Sequence, residues 1–247
     1  MSGRHLSWDG CANVRDLGGL ETATGGTTRH KVVVRADNIR RLSTAGWDDA
    51  VAYGVRSVVD LRFPDEQRGE PKLHEALRAL HVPLFGNHNP TSSHGHRRAE
   101  ELRGAADVAE VVALDYVDWL ESHRGQFAAA VDAIAGAEDT VVVHCYAGKD
   151  RTGLVCALLL ELAGATEEAI VNDYALSEAN MEALFASWIA SAPDEGERTI
   201  RMRLGLAPAA AMSAVLRWLS GQGGARAYLV DAGVAPRRLD ALHARLA

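Results

Sequence analysis

Apolar residues along the chain fall into short runs separated by turn-forming residues. The run Thr140–His144 is apolar almost throughout, as expected of a strand buried on both faces of a sheet. Arg56–Leu61 is rich in β-branched residues and predicts a second strand, and His81–Phe85 predicts a third. The glycine-punctuated segment Cys11–Ala36 predicts a hairpin. These runs together predict a sheet.

Helical patterns alternate with the predicted strands. A short helix over Trp47–Tyr53 should end at Gly54, and a helix over Leu154–Leu162 should end at Gly164, because glycine readily adopts the left-handed conformation that terminates helices. The further helical patterns are Val112, Tyr116, Trp119 and Leu120; Phe127–Ala135; Met212, Val215, Leu216 and Leu219; and a last helix starting near Pro236. The alternation predicts one α/β domain over 1–247, with a central, mostly parallel sheet flanked by helices.

The most polar stretch is 86–98, GNHNPTSSHGHRR, which predicts an exposed loop that could move. It contains His88, His94 and His96, which could in principle bind a metal ion. They have no fixed helical spacing and no cysteine near them, unlike structural zinc sites. We therefore expect a solvated loop here and no metal.

Composition argues against several classes of protein and of binding partner. The net charge is −7 and the sequence pI is near 5.8, which argues against nucleic-acid binding because that needs a basic face. The first residues, MSGRHLSWDGC, lack an apolar core of signal-peptide length, and no apolar run approaches the length of a membrane span, so stable membrane insertion is not expected. Three cysteines do not suggest a disulfide framework. We expect a cytoplasmic protein, with secretion by a route that leaves no signal still open.

Most of the functional information lies in His144–Gly153, HCYAGKDRTG. A buried strand ends at His144 and a helix begins near Arg151, so the backbone N–H groups between them can curl into a nest for phosphate oxygens. The start of the helix adds unpaired N–H groups and the positive end of its dipole. Gly148 and Gly153 permit backbone conformations and close packing that a side chain would obstruct. The predicted phosphate-binding residues are Tyr146, Ala147, Gly148, Lys149, Asp150 and Arg151.

Cys145 is the predicted nucleophile of this loop. A free thiol has a pKa of about 8.5, which falls to roughly 3.5–7.5 beside cations at helix N-termini, so we expect an ionised Cys145. Arg151 can grip two phosphate oxygens with its planar guanidinium and stabilise the transition state. Thr152 can donate its hydroxyl to the departing sulfur, and His144 is predicted to hold the loop. This chemistry predicts a cysteine-dependent phosphomonoester phosphatase.

Two simpler interpretations apply to the cysteines and to the Gly-Lys pair of this motif. A lone cysteine is usually a small core residue, and this is the interpretation we prefer for Cys11 and Cys156. A nucleotide-binding loop of the Walker type requires Ser or Thr directly after the lysine, whereas Lys149 is followed by Asp150 and Arg151. The Walker interpretation therefore fails.

The motif resembles the H-C-x5-R-[ST] phosphate loop of the protein-tyrosine phosphatase superfamily. Its GKDRTG ending is similar to a bacterial branch that includes the mycobacterial tyrosine phosphatase B group and related atypical dual-specificity and lipid phosphatases. NVRDLGGL (Asn13–Leu20), VVRADNIRRL and VVDLRFPDE resemble further blocks of that branch. The resemblance implies the phosphatase fold, a metal-free two-step mechanism without a cofactor, and phosphotyrosine in proteins as the first substrate to test.

Two other hypotheses stay open. One is a phosphatase for phosphoinositides or a small phosphorylated metabolite, since Lys149 adds a cation to the loop. Tyr146 stands where eukaryotic 3-phosphoinositide phosphatases have lysine, and it could instead stack on an aromatic substrate. The other is an inactive phosphate-binding module, against which the intact Cys145, Arg151 and Thr152 argue.

The leaving group needs an acid, and two aspartates are candidates. The chain has no WPD triplet, so the acid of many superfamily members cannot be carried over. Asp150 lies inside the phosphate loop, and the resemblance implies a catalytic role for it. Asp60 ends a predicted strand, where sites of α/β proteins form. We favour Asp150. Nearby, Asn13, Arg15 and Asp16 are predicted to pack under the phosphate loop, and Asp173 and Tyr174 to lie in the core or brace the site. Arg62 and Glu66 either orient substrate or brace the loop, or they form a surface ion pair.

Overall fold

The strands meet in one sheet in which all pairings but one are parallel. The computed structural model describes residues 3–85 and 93–247, and side chains outside 93–98. The strands are β1 Arg15–Asp16, β2 Val33–Ala36, β3 Val55–Asp60, β4 Arg78–His81 and β5 Thr140–His144. Their order is β1-β2-β5-β3-β4, with β1 antiparallel to β2 as the predicted hairpin requires. The prediction of a mostly parallel sheet is confirmed.

Strand β5 shows why both faces of the sheet are covered. Successive side chains of a strand point to opposite faces. Val141 and Val143 accordingly belong to the larger hydrophobic core, and Val142 belongs to a smaller core with Trp8 and Trp47. All residues of β5 are buried, so its apolar run follows directly from its central place in the sheet.

Helices supply the larger core and part of the smaller one. The helices are α1 Thr44–Tyr53, α2 Ser93–Gly104, α3 Val108–Ser122, α4 Arg124–Ala135, α5 Asp150–Leu162, α6 Glu167–Ala190, α7 Glu195–Gly205, α8 Ala209–Gly221, α9 Gly224–Asp231 and α10 Pro236–Leu246. Short 3₁₀ helices cover Ile39–Arg41 and Pro64–Gln67. Gly54 and Gly164 have φ of 116° and 80°, so both predicted glycine helix ends are confirmed.

The predicted strand over His81–Phe85 is wrong except at His81. Strand β4 is Arg78–His81, and it pairs in parallel with Ser57–Asp60 of β3. Its residues are all exposed at the edge of the sheet, so they carry no apolar signal. Pro83, which has no N–H to donate, lies in the segment that the apolar pattern favoured.

The predicted loop over 86–98 also needs correction. Helix α2 begins at Ser93, so 93–98 are helical, whereas 86–92 lie outside the described residues. The C-terminal end of α2 is fixed by tertiary contacts: Leu102 is buried, and Arg203 donates to the carbonyls of Leu102 and Ala105. Because α2 is polar and is stabilised by contacts with distant residues, its sequence has no apolar stripe from which the helix could be predicted.

The carboxyl ends of three parallel strands form the edge of the sheet from which the phosphate loop emerges. His144 of β5 lies beside Ala36 of β2 and Asp60 of β3. Within the described residues, none of the helices combines the length and the apolar character needed to cross a membrane.

Candidate active site

The loop Cys145–Lys149 connects β5 to α5, and hydrogen bonds to its carbonyl groups hold its backbone in place. Each of its five carbonyl oxygens accepts a hydrogen bond of 2.7–3.1 Å. The donors, in the order of the carbonyls, are His144 Nδ1, the Asn38 N–H, Asn13 Nδ2, Arg35 Nη2 and the Gly153 N–H. In a trans peptide the N–H points away from the C=O. The peptide N–H groups of the loop therefore face the opposite, concave side, as a phosphate nest requires.

Gly148 is required at its position in the loop. Its φ is 65°, and a Cβ there would lie 2.4 Å from the carbonyl oxygen of Ala36. Any side chain would therefore push the loop away from the end of β2. Gly153 is also tight, because its Cβ would approach the Tyr174 ring at 3.0 Å.

Beneath the loop lies a buried cluster of three arginines around one aspartate. The Asp173 carboxylate accepts hydrogen bonds from Arg4, from Arg15 at 3.0 Å and from Arg35 at 2.6 Å. Burial raises the pKa of Asp173, but the three guanidinium groups lower it well below its usual range. Burial and repulsion from Arg35 lower the pKa of Arg15 to about 10. The cluster thus carries excess positive charge, which favours an anion in the loop above it.

Asn13 and Arg15 connect this cluster to the loop. Asn13 Nδ2 donates to the carbonyls of Ala147 and Gly148, and its Oδ1 accepts from Arg15. Arg35 donates both to Asp173 and to the Gly148 carbonyl. The predicted packing of Asn13 and Arg15 under the loop and the predicted bracing role of Asp173 are therefore confirmed.

Cys145 is buried, with 2% of its surface exposed, at the base of the loop. Arg151, in the first turn of α5, forms a two-pronged ion pair with Glu66 at 2.6 and 2.8 Å and lies over the Phe63 ring. Burial lowers the pKa of Arg151, but Glu66 and then Cys145 raise it above its usual value, so the guanidinium stays protonated. A guanidinium has five N–H donors. Two of them donate to Glu66, and the other three have no acceptor within the described part of the chain.

Thr152 and His144 flank the nucleophile. The Thr152 hydroxyl is fully buried and has no hydrogen-bond partner within the described parts of the chain. Burial lowers the pKa of His144 to about 4, so its ring is neutral near pH 7. Its Nδ1 lies 3.1 Å from the Cys145 carbonyl, which requires the proton on Nδ1.

Asp60 ends β3 within a dense network of donors. Arg62 donates to both of its carboxylate oxygens at 2.8 and 2.9 Å, and Gln67 donates to one at 3.2 Å. Burial raises the pKa of Asp60, but the Arg62 hydrogen bonds and His144 bring it down to about 2. Arg62 also donates to Glu70. The network continues from Glu70 to Asn38, whose N–H holds the Tyr146 carbonyl.

Asp150 has a more open environment at the first position of α5. Its side chain is 27% exposed. The Tyr116 hydroxyl donates to its Oδ1 at 2.6 Å, and the Lys149 ammonium lies 3.7 Å from the same oxygen. Tyr116 of α3 thus orients Oδ1 of this carboxylate, and part of the side chain is exposed.

The rim of the loop carries an aromatic ring and two cations. Tyr146 is 46% exposed, and the Arg41 guanidinium lies 4.7 Å from the centre of its ring. Lys149 is buried and donates to the carbonyls of Leu204 and Leu206 at 2.5 and 2.8 Å, at the C-terminal end of α7. A lysine is favoured there by the helix dipole. Its contacts thus tie the phosphate loop to α7.

The other two cysteines differ from Cys145 in their surroundings. Burial, then the charge of Asp37, raise the pKa of Cys11 far above its usual value. Burial raises the pKa of Cys156 to about 12. Both thiols stay protonated at neutral pH. The prediction of a core residue is confirmed for Cys156, whereas Cys11 is only partly buried against the smaller core.

Two residues of the site were missed in the sequence. Arg35 lies in the predicted hairpin Cys11–Ala36 and had no predicted role of its own, although a charge inside the run VVVRA signals a buried partner. Tyr116 was assigned to an apolar helical stripe, although a buried tyrosine hydroxyl needs a partner. Among the residues with described side chains, no group of three or more His, Cys, Asp or Glu could hold a metal ion. His88, His94 and His96 lie outside that set.

Comparison with known proteins agrees with this geometry. The profile described as the tyrosine phosphatase family matches residues 6–247. A tyrosine-protein phosphatase of Nostoc commune is 32% identical over 221 residues, which cover 86% of this chain and 73% of the relative. The triple specificity protein phosphatase PtpB of Mycobacterium tuberculosis is 28% identical over 198 residues, 72% of this chain and 70% of the relative. The chain belongs to the tyrosine phosphatase family and is a hydrolase of the protein-tyrosine phosphatase type.

Proposed function

We propose that this enzyme hydrolyses phosphotyrosine in proteins through a phosphocysteine intermediate on Cys145. The observation that carries the proposal is the loop Cys145–Lys149, whose carbonyls are all bonded outward. Its inward N–H groups, together with Arg151, suit the three non-bridging oxygens of a phosphate monoester. The excess positive charge around Asp173 supports both the phosphate and the thiolate.

In the first step the Cys145 thiolate attacks phosphorus in line with the ester oxygen. The S–P bond forms as the P–O bond breaks, and Asp150 gives its proton to the departing oxygen. Arg151 and the loop N–H groups stabilise the charge on the equatorial oxygens. Asp150 suits this role better than Asp60, because a carboxyl with a pKa of about 2 holds almost no proton at neutral pH.

In the second step Asp150, now ionised, takes a proton from water as that water attacks the phosphocysteine. The S–P bond breaks, and inorganic phosphate and the Cys145 thiolate result. The buried Thr152 hydroxyl donates to the sulfur as its charge returns. His144 and Asp60 keep the strand end and the loop in place.

Phosphotyrosine is favoured among the possible esters by the aromatic rim. The half-exposed Tyr146 ring offers a stacking surface for a phenyl ring. Arg41 beside that ring would instead suit a polyanionic headgroup, which supports phosphoinositides or a small phosphorylated metabolite as the second candidate. We further propose that 1–247 is one phosphatase domain, supported by its single sheet. A cytoplasmic location is also proposed, supported by three free thiols.

A substrate panel tests the proposal. It would compare kcat/KM for a phosphotyrosyl peptide, a phosphoseryl peptide, phosphoinositide vesicles and sugar phosphates, each with wild type and Cys145→Ser. We expect the phosphotyrosyl peptide to lead by at least about tenfold. Cys145→Ser should lower the rate at least about a thousandfold. Equal rates with Cys145→Ser would contradict the proposed mechanism, and a leading phosphoinositide rate would replace the proposed substrate.

A further inference from the structure

Two buried tyrosine hydroxyls form a chain that ends on Asp150. The Tyr116 hydroxyl lies 2.6 Å from Asp150 Oδ1 and 2.9 Å from the Tyr174 hydroxyl. An ionised carboxylate can only accept, so Tyr116 uses its one proton on Asp150. Tyr174 must then donate to the oxygen of Tyr116. The direction of both hydrogen bonds is therefore fixed.

The rings leave these hydroxyls little freedom to turn elsewhere. Tyr116 and Tyr174 are 0% and 1% exposed. Their rings meet edge to face with centres 6.1 Å apart, and Trp119 packs on the Tyr116 ring at 5.3 Å. Because α3 and α6 supply one tyrosine each, the two hydrogen bonds connect both helices to Asp150, the first residue of α5.

We propose that Tyr116, oriented by Tyr174, is a positioning residue that holds Oδ1 of Asp150 so that Oδ2 carries the proton for the leaving group. The inference rests on the proposed acid role of Asp150. Charged groups near this carboxyl within the described side chains include Lys149, 3.7 Å from Oδ1, and Arg151, whose pKa is raised in part by Asp150. Arg151 is itself paired with Glu66. Tyr116, unlike these two cations, contacts the carboxyl through a neutral hydroxyl group.

Removal of the Tyr116 hydroxyl should change when Asp150 is protonated. A donor to a carboxylate favours the ionised form. Tyr116→Phe keeps the ring and deletes the donor, so the fall of kcat at high pH should move upward by about one pH unit. Tyr174→Phe should shift it in the same direction by less, since it acts through Tyr116.

Tyr228→Phe is the matched control. Tyr228 is also 0% exposed, and its hydroxyl donates at 2.7 Å to the Leu120 carbonyl, a backbone contact separate from Asp150. Loss of this hydroxyl should leave the pH profile of kcat the same as that of the wild type. Thermal melting of all three variants would show whether their folds are equally intact.

The outcomes separate this inference from the function on which it rests. The pH profile of kcat would be recorded for wild type, the three phenylalanine variants and Asp150→Asn. If Asp150→Asn abolishes the high-pH limb while Tyr116→Phe superimposes on Tyr228→Phe, the positioning role is wrong and the acid role stands. If Asp150→Asn keeps the limb, the proposed acid is wrong. If the fall of kcat at high pH is shifted in Tyr116→Phe and is absent in Asp150→Asn, the result supports both the positioning role of Tyr116 and the acid role of Asp150.

Discussion

Asp60 and Asp150 lie near the same edge of the sheet, and their surroundings differ in almost every respect. Asp60 is 3% exposed and accepts hydrogen bonds from Arg62 and Gln67 on both carboxylate oxygens. Asp150 is partly open to solvent, and its Oδ1 accepts from the Tyr116 hydroxyl. One carboxylate is enclosed by charged donors and the other is oriented by a phenol.

The contrast suits the two different roles that we propose for these aspartates. The strong donors around Asp60 keep it ionised, which makes it a firm anchor for Arg62 and for the loop beyond Asn38. A proton donor needs weaker stabilisation of its charged form, so that it can be protonated near neutral pH. A bound phosphate dianion would favour the protonated form of Asp150 further, because like charges repel.

The largest difference should appear in turnover. Asp150→Asn should lower kcat for a phosphotyrosyl peptide by about 10²- to 10⁴-fold, the usual contribution of a general acid. It should also abolish the fall in kcat at high pH. Asp60→Asn should lower kcat by about tenfold or less and keep that fall, because Asp60 acts through the shape of the loop. Steady-state kinetics across pH would check both variants. A larger loss in Asp60→Asn than in Asp150→Asn would reverse the assignment.

The second difference should appear in stability and in its dependence on pH. The folded-state pKa of Asp60, about 2, lies below its unfolded value of about 3.9, so its contribution is fully present above the unfolded pKa. That contribution, about 2 kcal/mol at neutral pH, is lost as pH falls from about 5 toward 2. Urea unfolding of Asp60→Asn should therefore show a loss of this size at pH 7 and a smaller one near pH 3.

Asp65→Asn provides the matched control for that stability measurement. Asp65 lies in the neighbouring 3₁₀ helix and forms an exposed pair with Arg68. Such surface pairs contribute little, so the free energy of unfolding should change by less than about 0.5 kcal/mol at either pH. An Asp60→Asn penalty that is equally large at pH 3 and pH 7 would show that the charge of Asp60 is not what stabilises the fold.

Local sequence predicted the central strand, loop and helix because their residues determine that structure within a few positions. Thr140–His144 is apolar because it is buried on both faces, and Gly148 is required by its positive φ. Strand β4 could not be predicted in the same way. Its exposed residues pair with β3 at the sheet edge, and no local pattern encodes that pairing.

The environment of the site was beyond local sequence for a similar reason. Arg35 and Asp173 are 138 positions apart, and Tyr116 and Asp150 are 34 apart. Their contacts exist only once the sheet and helices have packed. For the same reason the sequence could favour Asp150 over Asp60 as the acid but could not show the donors that surround each carboxylate.

The reactivity of Cys145 as an anion is the claim on which the mechanism depends. Iodoacetate alkylation, followed by mass spectrometry of each cysteine across pH, measures it directly, with Cys11 and Cys156 as internal references of raised pKa. We predict that Cys145 is alkylated much faster than Cys11 and Cys156 at every pH from about 6.5 to about 8.5, and that vanadate protects it. A Cys145 that is alkylated no faster than these two thiols, and that vanadate does not protect, would contradict the account.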